Sequence, residues 1–312
     1  MPYVVFCLRE REIFMPASSP QKVVLITGGT DGLGKATAIL LAQHGYRVIA
    51  AGRSEAKRAE LDALAKVKNL PLTTAELDVC SDASVKRAVQ SATDSYGTID
   101  VLINNAGVGY MAVVEELKIE DLKQQFETNL YGVLRVTQAV LPGMRARRCG
   151  RIVMLSSVAG LVTPPAYGAY SSSKHALEGL SNALRLELFP FDIQVVLIEP
   201  GYIVTNFQQT AKDLAQSYVE SARNSPYEKI YSAAWAGAAK GRTKSKSTPE
   251  DCARVILRAI ESPSPKARYG VTPLATLVKW AKRLASDHML DQFLRRTYGV
   301  TNDVAPRDAK PV

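Results

Sequence analysis

Cysteine, histidine and long apolar runs are all scarce in this 312-residue chain. The four cysteines, Cys7, Cys80, Cys149 and Cys252, lie far apart and make no C-x-x-C pair. That argues against a zinc site or a disulfide framework, and it suits a reducing cytoplasm. The three histidines, His44, His175 and His288, form no H-E-x-x-H, so no metal is expected. No apolar run approaches the roughly 18–20 residues that span a bilayer. Internal repeats are absent too. What remains is ordinary for a globular protein, with 46 % hydrophobic and 22 % charged residues. The length fits one large domain or two small ones.

The net charge of +9 is unevenly spread. Lys240–Val312 holds 15 Lys/Arg against 7 Asp/Glu, so the body is nearly neutral and the tail basic. Basic tails meet anionic lipid or nucleic acid, or are simply solvated. No nucleic-acid partner is expected. At the other end, Val4-Val5-Phe6-Cys7-Leu8 precedes Arg9-Glu10-Arg11-Glu12, the reverse order of a signal peptide. Residues 1–20 therefore read as an arm, with Met15 a more natural start.

From Lys22 the chain alternates β-branched runs with helical patterns. Strands are expected at Val23–Ile26, Tyr46–Ala51, Leu72–Leu77, Val101–Ile103, Arg151–Leu155, Gln194–Ile198 and Tyr269–Val271. Helices are expected at Leu33–Gln43, Glu55–Lys66, Ser84–Ser95, Ile119–Met144 (ended near Pro142), Tyr170–Leu188, Pro249–Glu261 and the amphipathic Leu274–Arg296. Strand–helix alternation with near-continuous Val/Ile/Leu runs predicts an α/β fold, a doubly wound parallel sheet with helices on both faces. The expected organisation is a core over 21–201, a lid over 202–248, and a closing segment with a basic helical extension over 249–312.

Thr27-Gly28-Gly29-Thr30-Asp31-Gly32-Leu33-Gly34 joins the first strand to the first helix. Glycines let a backbone turn tightly and approach a pyrophosphate, and the helix start offers N–H groups and partial positive charge. The second strand ends in Ala50-Ala51-Gly52-Arg53-Ser54, with no carboxylate to take a ribose 2′-hydroxyl and an arginine suited to a 2′-phosphate. Further along, Tyr170-Ser171-Ser172-Ser173-Lys174 puts a phenol and an ammonium on one helix face. A phenol titrates near pH 10 and a neighbouring cation lowers that, which makes a proton carrier.

With these segments in order, the chain resembles the short-chain dehydrogenase/reductase family, of the ordinary single-domain, Rossmann-type kind, over about Lys22–Phe207. The resemblance implies an oxidoreductase that moves hydride between nicotinamide and a carbonyl or alcohol carbon. It implies a catalytic set of Asn129, Ser157, Tyr170 and Lys174. The family's 13-residue spacing to the tyrosine selects Ser157 over its neighbour Ser156. It also implies cofactor contacts from the glycine turn, from Asp78 and Val79 at the adenine, from Asn105-Ala106-Gly107, from Tyr170 and Lys174, and from Pro200, Gly201, Ile203 and Thr205 at the nicotinamide. On residue type alone, Asp78 also suits a helix start and the asparagines a turn.

Arg53 and Ser54 make NADP(H) the expected cofactor over NAD(H). Against that stands Asp31, where many NADP members carry a basic residue. The tyrosine helix resembles members acting on steroids, retinoids and long-chain carbonyls, which makes a largely apolar substrate the expectation. Tyr202, Phe207, Tyr218, Tyr227, Tyr231 and Trp235 would serve a cavity, their own packing, or a subunit partner alike. A homodimer or homotetramer is implied, through the helices at Ile119–Met144 and Tyr170–Leu188. Leu274–Arg296 is expected to dock on its own domain, with peripheral membrane contact as the other use. The rival function is an NADP(H)-binding sensor or scaffold without turnover.

Overall fold

A computed structural model describes residues 21–300 except 224, 245 and 246, with backbone alone over 238–244. The expectations for 1–20 and for 301–312 lie outside the described residues. The apolar runs become β1 (Val23–Thr27), β2 (Arg47–Gly52), β3 (Leu72–Glu76), β4 (Val101–Asn104), β5 (Gly150–Leu155), β6 (Ile193–Glu199) and β7 (Arg268–Gly270). They form one sheet in the order β3-β2-β1-β4-β5-β6-β7, and every neighbouring pair is parallel.

The helices are α1 (Gly32–Gln43), α2 (Glu55–Val67), α3 (Asp82–Tyr96), α4 (Ile119–Phe126), α5 (Gly132–Arg147), α6 (Gly168–Leu188), α7 (Phe207–Ala222), α8 (Glu228–Lys244), α9 (Pro249–Glu261), α10 (Pro273–Leu284) and α11 (Asp287–Tyr298). Alternate strand residues serve opposite cores. Leu25, Leu102, Ile152, Met154 and Leu197 pack on α3, α5 and α6. Ile26, Ile103, Val153, Val196 and Ile198 pack on α1, α2 and α9. Burial on both faces is why these strands read as unbroken apolar runs rather than alternating ones.

Chain direction across the sheet reverses between β1 and β4. Loops leaving the two strands part there and open a crevice at their carboxyl ends, where open α/β sheets bind ligands.

Two helical expectations are altered. The stretch Ile119–Met144 is not continuous: a π-helical turn at Glu127–Tyr131 separates α4 from α5. Nor does Pro142 end α5, which runs on to a left-handed cap at Arg148. Pro142 and Gln138, whose carbonyl loses its donor, are both exposed, so water can replace the missing bond. The other alteration is at Leu274–Arg296, which divides into α10 and α11. Ala285 is extended and Ser286 caps α11 by accepting from the Met289 N–H at 3.4 Å.

Between β6 and α9 the lid consists of α7 and α8. Its Tyr218 and Tyr231 are buried against Ala112 and are held by the loop before α4. Tyr231 Oη accepts from the Val113 N–H at 3.1 Å and donates to Glu116 at 2.8 Å; Tyr218 Oη accepts from the Lys118 N–H at 3.0 Å. These two aromatics anchor the lid, whereas Tyr202, Phe207 and Trp235 line a cavity. Among the described residues, no helix is long and apolar enough to cross a membrane, and no group of His, Cys, Asp or Glu could hold a metal ion.

Candidate active site

The turn after β1 is fixed from both sides. Gly28 has φ +62°, and a Cβ on it would sit 3.0 Å from Ala106 Cα. Glycine is required there for its conformation and for its contact. A Cβ on Gly34 would run into the Gly28 carbonyl, so α1 can start directly behind the turn only with glycine. From β4, the Asn105 side chain donates to the carbonyls of Thr27 and Gly28, both at 3.0 Å. Thr27 Oγ1 accepts from the N–H groups of Asn105 and Ala106 at 3.0 and 3.1 Å. Asp31 caps α1 by accepting from Gly32 N–H at 2.7 Å.

Asp31 also pairs with Lys57 at 2.5 Å and accepts from Asn206 at 3.0 Å. Burial works against its charge, but these partners hold its pKa below the usual carboxylate value. At the end of β2, Arg53 is exposed and lines the cavity. The backbone beneath it is braced by Arg58, which donates to the carbonyls of Gly52 and Arg53 at 2.9 and 2.8 Å. Ser54 caps α2, accepting from the Lys57 N–H at 3.4 Å.

Across the crevice, Ser157 follows β5 and Tyr170 lies in the first turn of α6. The Ser157 hydroxyl faces the Tyr170 phenol, close enough to act on its pKa, and accepts from the Ala159 N–H at 3.1 Å. Ser156 is buried and its Oγ has no hydrogen-bond partner, so the serine facing the tyrosine is Ser157. Lys174 Nζ donates to the Leu155 carbonyl at 2.7 Å and lies 5.7 Å from the Tyr170 ring centroid. Burial pushes the phenol up to about 12, the reverse of the lowering expected from the neighbouring ammonium, and the Ser157 hydroxyl alone opposes it. Burial likewise brings the Lys174 ammonium down to about 8, against the pull of Glu178 one turn further along. The lid covers Tyr170 with Phe207, their ring centroids 5.6 Å apart.

Asn129 is fully buried in the π-helical turn. Its amide accepts from the Val108 N–H at 2.9 Å and donates to the Val108 carbonyl at 2.9 Å and to Ser173 Oγ at 3.1 Å. It ties the loop after β4 to the residue before Lys174.

A cavity of about 2060 Å³ joins the two sides of the crevice. Its walls include Gly28, Asp31, Gly32, Leu33, Gly34, Arg53, Asn105, Ala106, Gly107, Ser157, Tyr170, Lys174, Pro200, Gly201, Ile203 and Thr205. Thr27, Thr30, Ser54, Asp78, Val79 and Asn129 do not line it. They act from behind the wall or elsewhere: Asp78 accepts from the Cys80 N–H at 3.0 Å, and Val79 packs on Gly132. Sequence reasoning missed Glu178, Tyr167 and Tyr298. Glu178 was findable, since it stands four residues after Lys174 on the same helix face.

Glycines that leave the turn bare, the N-terminus of α1 and a cavity about twice the size of a common ligand pocket together fit a dinucleotide plus a second molecule. Residues 22–215 match the family model described as short chain dehydrogenase. The chain belongs to the short-chain dehydrogenase family. With it comes oxidoreductase chemistry on a nicotinamide dinucleotide, NAD or NADP. The chain is similar to human retinol dehydrogenase 8, at 37 % identity over 84 % of this chain and 86 % of that one. It is also similar to a 3-ketodihydrosphingosine reductase of Bacteroides thetaiotaomicron, at 32 % identity over 89 % and 98 %. Among solved structures, a short chain dehydrogenase/reductase from Burkholderia phymatum in complex with NAD has a TM-score of 0.75 and 25 % identity over 87 % and 95 %.

Proposed function

We propose that this dehydrogenase interconverts a carbonyl and an alcohol on a largely apolar substrate, preferring NADP(H). The observation that carries the chemistry is the Ser157 hydroxyl facing the Tyr170 phenol beside the buried Lys174. In reduction, the hydroxyls of Ser157 and Tyr170 hold the carbonyl oxygen, and Tyr170 passes its proton to it. When bound, the reduced nicotinamide supplies the hydride. Lys174 keeps a positive charge beside the phenol, and it would hold the ribose of a bound nicotinamide cofactor. Asn129 fixes Val108 and Ser173 so that α6 keeps its register against the loop after β4. In oxidation, Tyr170 takes the proton back.

Cofactor residues in this reading are the turn from Thr27 to Gly34, Arg53 and Ser54, Asp78 and Val79, Asn105 to Gly107, and Pro200 to Thr205. Several of them act only by shaping the wall, as Thr27 does in holding Asn105 and Ala106. NADP(H) preference rests on Arg53 at the end of β2, with no carboxylate there to take a 2′-hydroxyl. The apolar substrate rests on the aromatic and aliphatic walls that α7, α10 and α11 add to the cavity. Pairing of two copies through α5 and α6 is supported by Tyr131, Leu186 and Phe189, exposed at 50 %, 71 % and 80 % beside those helices.

The test is oxidation of NADPH and NADH against ketones and aldehydes graded from acetone to steroid size. The reading expects NADPH to be used at least tenfold more efficiently, with kcat/KM rising with substrate size. Arg53→Ala should weaken NADP⁺ binding far more than NAD⁺ binding; an equal loss for both would refute the cofactor assignment.

A further inference from the structure

Resting on that reading, we propose that Tyr167, Tyr202 and Tyr298 form a hydroxyl-lined subsite for a second oxygen on the substrate, a hydroxyl or carbonyl remote from the reacting carbon. The three phenols come from three separate parts of the chain: the residue capping α6, the loop after β6, and the end of α11. All three line the large cavity. Tyr202 Oη and Tyr298 Oη are 3.4 Å apart, and Tyr202 lies close enough to Tyr167 to raise its pKa. Tyr167 precedes Tyr170 by one helical turn, so the cluster begins beside the reacting centre.

The surrounding wall is apolar, with Val162, Phe207, Trp235, Val278 and Leu294 among its residues. In such a wall a hydroxyl cluster is the recognisable polar fixture, the pattern by which ligand pockets orient an otherwise greasy molecule. Phenols both donate and accept, so the cluster serves a hydroxyl or a carbonyl equally. Burial and the neighbouring phenols push the pKa of both Tyr167 and Tyr298 upward, so these groups stay neutral at working pH. A neutral cluster suits an uncharged oxygen function.

Tyr298 is built in rather than incidental. A Cβ on Gly237 would lie 2.6 Å from its Cε1, so the ring seats directly on the backbone of α8. Tyr298 is 8 % exposed although it ends the last described helix. The segment beyond residue 215, outside the family match, therefore supplies part of the substrate site.

The experiment compares matched probes, decanal against 10-hydroxydecanal, in NADPH-linked reduction by the full chain. The subsite predicts about tenfold higher kcat/KM for the hydroxylated aldehyde. Tyr202→Phe and Tyr298→Phe should each bring that ratio close to one, with the melting temperature checked for each variant. Equal kcat/KM in the wild type, or a preference that survives both changes, overturns the subsite. Calorimetric binding of 1-decanol and 1,10-decanediol separates this from the redox reading. The diol should bind about tenfold more tightly, and Tyr298→Phe should abolish the difference, even if no aldehyde is turned over. Equal binding of alcohol and diol overturns the subsite alone.

Discussion

The ammonium of Lys174 donates to the carbonyl of Leu155 at 2.7 Å, joining α6 to the end of β5 directly before Ser156 and Ser157. Burial brings this lysine from 10.5 to about 8, so the fold carries a charge it would rather release. At about 1.4 kcal/mol per pKa unit, holding it protonated at pH 7 costs ~3 kcal/mol. The charge-assisted hydrogen bond to Leu155 returns ~1.5–3 kcal/mol. Lys174→Met should therefore stabilise the protein by up to ~1.5 kcal/mol at pH 7 while abolishing turnover. For a base with a lowered folded pKa, the penalty fades as pH rises from about 8 to 10.5. Urea unfolding at pH 7 and pH 10 measures this, with a smaller gain expected at pH 10. A variant less stable than wild type at pH 7 would contradict it.

Asp31 faces Lys57 and Asn206 at once, and places a negative charge on the same cavity wall as Arg53, the residue proposed to meet a 2′-phosphate. Asp31→Ala removes that repulsion and frees Lys57. The ratio of NAD⁺ to NADP⁺ dissociation constants should rise about fivefold to tenfold, a gain that shrinks as salt is added. Fluorescence titration with both dinucleotides reads the ratio. A fall would mean that Lys57 needs Asp31 to be held in place.

Asn105 is the strut between β4 and the glycine turn. Asn105→Ala leaves the carbonyls of Thr27 and Gly28 without its amide. Loss of these bonds should destabilise the fold by ~1–2 kcal/mol and weaken either dinucleotide at least tenfold. Affinity measured by calorimetry, together with thermal unfolding, checks both parts. Unchanged affinity would mean that the turn holds its shape unaided.

The sheet and its flanking helices were legible because strand and helix periods differ sharply, and because double-sided burial leaves unbroken apolar runs such as Val23–Ile26 and Val195–Ile198. The glycine turn and the Tyr170–Lys174 spacing were legible for the same local reason. Less visible were features decided by distant partners. The turn at Glu127–Tyr131 widens where buried Asn129 reaches Val108 and Ser173, and no local propensity marks it. Pro142 stays helical because solvent can serve the carbonyl it orphans. Of the lid aromatics, Tyr218 and Tyr231 turned to the loop before α4, while Tyr202 turned to Tyr298, 96 positions away in sequence. Side chains of one type thus took different roles according to what the tertiary fold brought beside them.

The role proposed for Tyr170 is to move the proton in a carbonyl–alcohol exchange. It is tested most directly by single-turnover NADPH oxidation with a reducible aldehyde, wild type against Tyr170→Phe. The phenylalanine keeps the ring against Phe207 and removes only the hydroxyl that faces Ser157. That role predicts a loss of at least 10²-fold in rate, the low end of what general acid catalysis supplies, with NADPH affinity within about twofold of wild type. A variant that oxidises NADPH at the wild-type rate would contradict it.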